Sequence, residues 1–256
     1  MKISCVQLAA SDHPKQQNID HALAMLDQAP ESDLIMLPEL WPSGFFSFDR
    51  YVAESEGLQG HLVQTFRQKA AERGCYLLMG SFVEKRGEDY YNCAVLIDPS
   101  GQIAATYRKI HLFGYQSAES EILSPGQEVT VVPTQWGRVG FSTCYDLRFP
   151  ELYRRMLDQG VQIFLIPSAW PLARLEAWLL FNRVRALENL AYLISCNCAG
   201  ANQGTVLAGN SMVVNPLGQV LAQAGEEEQI LSLEIDPQAV EQTRSEFPAV
   251  SDRVFK

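Results

Sequence analysis

Three side chains in this sequence carry complementary chemistry: Glu39, Lys109 and Cys144. A cysteine attacks well only as its thiolate, so it needs a base, and a carboxylate beside an ammonium in a dry pocket can serve. When a thiolate adds to a carbonyl, negative charge develops on the oxygen. A fixed ammonium such as Lys109, aided by a backbone N–H, can stabilise that charge, and the N–H of Tyr145 directly follows the cysteine. Taken singly the signals are weak: a lone cysteine at a strand end is ordinarily a structural thiol, and a Glu or Lys after a strand is ordinarily a solvated loop charge.

The elements around these residues make their grouping meaningful. The stretch 34–37 is a short apolar run closed by Pro38, the stretch 103–108 pairs in a hairpin with 91–97, and 138–143 is a third strand. Each candidate therefore follows the carboxyl end of a strand, where ligands bind in α/β sheets. Residues 2–8 alternate as a strand. Apolar residues at 19, 22, 23 and 26 mark a helix stopped by Pro30, and those at 62, 66 and 70 mark another before a strand at 76–80. The Asp98-Pro99-Ser100-Gly101 segment fits a tight reversal. Beyond Cys144, a helix at 150–159 stopped by Gly160, a strand at 163–166, a long helix at 175–190 and a strand at 192–197 repeat the theme. A hairpin around Asn215-Pro216-Leu217-Gly218, a strand at 229–235 and a C-terminal helix complete an α/β protein with two β-rich halves and helices on the outer faces.

With 256 residues, 47% hydrophobic, the chain can bury one large core, so a single domain is expected over 1–256. A formal charge of −10 without a basic tract argues against nucleic acid, and no apolar run approaches a membrane span. The cysteines at 5, 75, 93, 144, 196 and 198 are scattered in apolar surroundings, which fits a reducing, cytoplasmic setting and no disulfide framework. Cys196-Asn197-Cys198 looks like half a metal site, but without a second ligand pair it belongs to a core strand. His13, His21, His61 and His111 form no ligand spacing, so no metal and no cofactor are expected.

Wording around the three residues resembles the nitrilase superfamily of carbon-nitrogen hydrolases. Leu37-Pro38-Glu39-Leu40 is similar to its general-base motif, Tyr107-Arg108-Lys109-Ile110-His111-Leu112-Phe113 to its lysine motif, and Cys144-Tyr145-Asp146-Leu147-Arg148-Phe149-Pro150-Glu151 to its nucleophile elbow. Ala118-Glu119-Ser120, ahead of Leu123-Ser124-Pro125-Gly126, corresponds to the segment carrying a second active-site glutamate, which adds Glu119. Residues 185–189 and 209–218 also look like family segments. The resemblance implies a four-layer α-β-β-α sandwich, commonly a homodimer formed through helices flanking the nucleophile segment and through the C-terminal region. It also implies a mechanism in which Glu39 takes the Cys144 proton, Lys109 and the Tyr145 N–H hold the oxyanion, and a thioester is then hydrolysed.

Ser168-Ala169-Trp170-Pro171-Leu172-Ala173-Arg174-Leu175-Glu176-Ala177-Trp178 most resembles the omega-amidase branch, which hydrolyses small 2-oxo acid ω-amides such as 2-oxoglutaramate and 2-oxosuccinamate. Such a substrate has a carboxylate that a guanidinium can bind through paired hydrogen bonds. Arg174 is the first candidate and Arg148 the second, with Trp170 as a pocket wall and Trp41, Phe45, Phe46 and Tyr115 as further aromatic candidates. Rival readings keep the fold but change the amide: a deaminated-glutathione amidase, an N-carbamoyl amine hydrolase or an aliphatic amidase. Others are a Cys-His hydrolase using His111 or His61, and a non-catalytic binding relative.

Overall fold

The computed structural model describes residues 1–255. Its first half contains β1 (Lys2–Gln7), β2 (Ala9–Ala10), α1 (Lys15–Gln28), β3 (Leu34–Met36), α2 (Tyr51–Glu54), α3 (His61–Arg73), β4 (Tyr76–Arg86), β5 (Asp89–Ile97) and β6 (Ile103–Arg108). Its second half contains α4 (Glu119–Ile122), β7 (Val131–Thr134), β8 (Gly137–Phe141), α5 (Pro150–Asp158), β9 (Ile163–Ser168), α6 (Leu175–Asn189), β10 (Tyr192–Asn197), β11 (Ala199–Asn202), β12 (Thr205–Val206), β13 (Met212–Val214), β14 (Val220–Gln223), β15 (Gln229–Glu234) and α7 (Ala239–Glu246).

These strands build two six-stranded sheets, ordered β15-β1-β3-β4-β5-β6 and β14-β13-β10-β9-β8-β7, and a small sheet β12-β11-β2. Each large sheet has a parallel centre, β1-β3-β4 in one and β8-β9-β10 in the other, with antiparallel strands outside it. Strand alternation decides the layering. Ile3, Cys5, Leu34, Met36 and Leu78 join Phe141, Leu165 and Leu193 in one core. Their neighbours Val6, Ile35, Leu77 and Met79 instead meet Ile19 and Leu26 of α1 and Leu62 and Phe66 of α3. Opposite faces of one sheet thus serve two apolar layers. The Cys196 thiol crosses between the sheets, donating to the carbonyls of Val6 and Met36 at 3.4 Å each. On the far side α5 contributes Leu152, Tyr153 and Met156, and α6 contributes Trp178 and Ala186. The result is the expected α-β-β-α sandwich of flanked sheets.

Two departures from the sequence reading shape the site. The strand expected over 76–80 runs on to Arg86 through a register shift between Leu78 and Ser81. Gly80, at φ +70°, makes that bulge, and a Cβ there would lie 1.9 Å from the Pro38 carbonyl oxygen. The strand expected to stop at Ile166 continues through Pro167 to Ser168. Its partner β8 pairs only as far as Leu165, so the missing proline N–H interrupts no ladder on that side. Strand β7, too short and mixed to stand out in the sequence, closes the second sheet's edge.

Candidate active site

The buried carboxylate comes first. Glu39 lies three residues past β3, and the Gly80 bulge allows the Pro38–Leu40 turn to settle against β4: Ser81 N–H donates to the Pro38 carbonyl at 3.2 Å and Leu40 N–H to Ser81 Oγ at 3.1 Å. Leu40 has φ +45°. The Glu39 side chain is fully buried, its Oε1 accepting from Asn92 Nδ2 and Lys109 Nζ, each at 2.8 Å, and its Oε2 from the Ala169 N–H at 2.9 Å.

Lys109 follows β6, and its N–H continues the β5 ladder by donating to the Asn92 carbonyl at 2.9 Å. Its Nζ, also fully buried, donates to Glu39 Oε1 at 2.8 Å and to both oxygens of Glu119 at 2.9 Å. Glu119 opens α4, outside any strand, and is locked by the Phe113 N–H on Oε2 at 2.7 Å and by Asn92 Nδ2 on Oε1 at 2.9 Å. Burial alone would strip the Lys109 proton, but the charges of Glu119 and Glu39 outweigh it and hold the ammonium firmly. Burial, abetted by the Glu39 charge, keeps Glu119 above the usual carboxylate range although Lys109 pulls it down.

Cys144 leaves β8 in a one-turn 3-10 helix, Cys144–Arg148, with φ +47° at the cysteine itself. A left-handed backbone at a non-glycine residue is strained, and such strain clusters where function over-determines the geometry. Asp146 anchors the turn, accepting from the Thr143 N–H at 2.8 Å and from Tyr107 Oη at 2.6 Å, and holding His111 through both its N–H and Nδ1. Burial pushes the Cys144 thiol well above its ordinary value, the Glu39 carboxylate raises it further, and Lys109 and the Ala169 N–H only partly offset this. A resting thiol beside an anionic acceptor needs its base at the moment of attack.

His111 is spoken for, stacked on Phe149 at 3.8 Å and paired with Asp146, while His61 begins α3 on the other side of the first sheet. Neither lines the pocket over Cys144. That pocket is lined by Phe45, Phe46, Phe113, Tyr145, Arg148, Ala169, Trp170, Pro171 and Arg174. The structure thus brings Tyr145, Arg148, Trp170 and Arg174 to one mouth. Of the further aromatic candidates, Phe45 and Phe46 line it. Trp41 packs on Phe66 in the outer core instead, and Tyr115 is 65% exposed outside it. The Arg148 guanidinium lies over the Trp170 and Phe181 rings at 5.3 and 5.2 Å, and that of Arg174 over Phe113 at 5.0 Å. Among the described residues, the arginines in ion pairs are Arg108, Arg154, Arg185 and Arg253. Neither pocket arginine has a carboxylate partner among the described residues.

Sequence reasoning missed two polar residues of this site. Asn92 interrupts the apolar run of β5, a buried amide among Cys93, Ala94 and Val95, and that interruption was its only signal. Asn197, between the two cysteines, accepts the Trp170 N–H at 2.7 Å and donates to the Gly209 carbonyl at 2.7 Å, so it steadies the pocket wall. Cys196 and Cys198 themselves are core thiols of β10 and its sequel, both buried.

Known proteins resemble this chain over most of its length. The family model for carbon-nitrogen hydrolases matches residues 2–245. The chain is 38% identical over 231 residues to the 2-oxoglutaramate amidase of Paenarthrobacter nicotinovorans, covering 87% of this chain and 79% of that one. It is 34% identical over 254 residues to the 2-oxoglutaramate amidase of Bacillus subtilis, covering 98% and 96%. Among solved structures, a carbon-nitrogen hydrolase superfamily protein of Xanthomonas campestris with an arsenic adduct in its active site superposes with a TM-score of 0.93. The two are 31% identical, and the match covers 100% of this chain and 98% of that one.

Proposed function

Because the chain belongs to the carbon-nitrogen hydrolase family, we propose that it hydrolyses the terminal amide of a small 2-oxo acid, of the 2-oxoglutaramate or 2-oxosuccinamate type, to the acid and ammonia. The observation that carries this reading is a small pocket with Cys144 at its floor and two guanidiniums without acidic partners at its mouth. A cation pair on a protein of net charge −10 is suited to an anionic substrate. The relatives named 2-oxoglutaramate amidase support the same amide.

In this reading Glu39 takes the Cys144 proton as sulfur attacks the amide carbon. All three Nζ protons of Lys109 are committed to carboxylates at rest. Protonation of Glu39 weakens one of these bonds and frees a donor for the new oxyanion, which also meets the Tyr145 N–H. Glu39 then donates to the departing amine and activates the water that cleaves the thioester, while Glu119 holds Lys109 in place. Arg174 and Arg148 bind the substrate carboxylate, and Trp170 walls the acyl chain. Ammonia release from 2-oxoglutaramate, with a mass increment on Cys144 trapped during turnover, tests the reading. Faster release from carbamoyl amines or simple aliphatic amides would replace it.

The reading takes residues 1–256 as one catalytic domain, supported by the core that joins both sheets. It places the enzyme in the cytoplasm, supported by six free, buried cysteines, and no helix among the described residues is long and apolar enough to cross a membrane. It also includes a homodimer. Leu180 and Leu187 are exposed on α6, and Leu217 and Leu221 are exposed on the β13–β14 hairpin, whose Gly218 carbonyl takes Arg183 Nε at 3.2 Å. An apolar surface of this kind suits a second copy. Sedimentation of Leu187→Glu at micromolar concentration tests it, a monomer being expected.

A further inference from the structure

We propose that Asn92 is a positioning residue for the reaction, clamping the Glu39 and Glu119 carboxylates side by side so that Glu39 stays in place when Lys109 turns to the substrate. This rests on the reading of Glu39 as the base.

The geometry is specific. Asn92 is fully buried, and Nδ2 divides its two protons between Glu39 Oε1 at 2.8 Å and Glu119 Oε1 at 2.9 Å. Those same two oxygens accept from Lys109 Nζ, so amide and ammonium close a four-membered ring of donors and acceptors. The amide can face only this way, because reversing it would set Oδ1 against two carboxylate oxygens. Its Oδ1 is buried and meets no donor among the described residues. A buried acceptor with no protein donor is unfavourable, and a leucine of similar size would avoid it, so packing alone does not account for the amide. Its two donated hydrogen bonds do.

Each donated bond holds one carboxylate oxygen, so Asn92 fixes Glu39 and Glu119 side by side. When that proton arrives and Lys109 shifts a donor to the oxyanion, Asn92 is the neutral side-chain donor that remains on Oε1. Without it, Glu39 would be held only through Oε2 by the Ala169 N–H.

The test compares kcat and KM for 2-oxoglutaramate in the wild type, Asn92→Leu, Asn92→Ala and Glu39→Gln. Loss of one hydrogen bond to a charged group should lower kcat about tenfold or more, with KM little changed. The proposal stands if both Asn92 variants show that split while Glu39→Gln loses turnover. It falls alone if a folded Asn92 variant keeps the wild-type kcat and Glu39→Gln is inactive. Near-normal turnover by Glu39→Gln would overturn the base assignment and this inference together. Asn92→Ala adds no contact, and it decides the matter if leucine does not fit, with circular dichroism verifying the fold.

Discussion

The proposed anchoring of substrate by Arg174 and Arg148 can be separated from general effects on the active site by changing only charge. Arg→Met keeps most of the aliphatic stem against Phe113 or Trp170 and deletes the guanidinium. Neither arginine has an acidic partner among the described residues to leave stranded, so the substitution should cost the fold little. A hydrogen bond to a charged group is worth about 1.5–3 kcal/mol, and both guanidiniums are only partly buried. Taking about 2 kcal/mol for the lost carboxylate contact, kcat/KM for 2-oxoglutaramate should fall about 30-fold in the variant of whichever arginine carries it. The assay is ammonia release from 2-oxoglutaramate beside a neutral five-carbon primary amide, which has no carboxylate to lose. The neutral amide should be hydrolysed at an unchanged, low rate. Equal loss on both substrates, or no loss on either in the Arg148/Arg174 double variant, would refute carboxylate recognition at this mouth.

Three further outcomes bear on the site. Gly80→Ala meets the Pro38 carbonyl, whereas Gly74→Ala has a similar positive φ with nothing within 4 Å. The second should cost roughly 1 kcal/mol of backbone strain and keep its turnover, while the first should melt several degrees lower and lose activity, as read by thermal unfolding and ammonia release. Lys109→Met strands two buried carboxylates, which should cost about 3–5 kcal/mol, or roughly 10 °C in Tm, and reduce kcat at least about a hundredfold. An unchanged Tm would mean that the carboxylates relax into solvent. Glu39→Gln should abolish turnover yet lower the Cys144 pKa, because it removes a raising charge and leaves Lys109. Thiolate absorbance near 240 nm, taken as a difference against the same variant carrying Cys144→Ser, should therefore rise at lower pH than in the wild type. A titration at the wild-type pH would refute the electrostatic account.

Motif and strand-end position made Glu39, Lys109 and Cys144 legible in the sequence, because each follows a strand whose apolar run is plain. Glu119 was legible only through its motif. It opens a single-turn helix in a loop, and nothing in the local periodicity points it at Lys109. Asn92 was not found because one polar residue in an apolar strand ordinarily signals an edge or a solvent face, and only the paired sheets turn it inward. The two-sheet layering was equally hidden. Alternation tells which side chains share a face, but which faces meet depends on long-range contacts such as those of Cys196 with Val6 and Met36.

The raised thiol and the raised Glu119 run against the common pattern, in which hydrolytic cysteines are activated by lowering their pKa. The arrangement accounts for the difference. Two carboxylates and one ammonium leave the resting cluster with an excess of negative charge, and a thiolate would add to it in a fully buried setting. In the proposed reaction, moving the proton from sulfur to Glu39 as the sulfur bonds to carbon places the new negative charge on the substrate oxygen and removes one from the carboxylate pair. The buried charge is therefore relocated and not increased during the step, with Lys109 exchanging an acceptor on Glu39 for one on the substrate. A protonated resting thiol is what such a site requires, and it confines thiolate chemistry to the moment when an amide lies over Cys144.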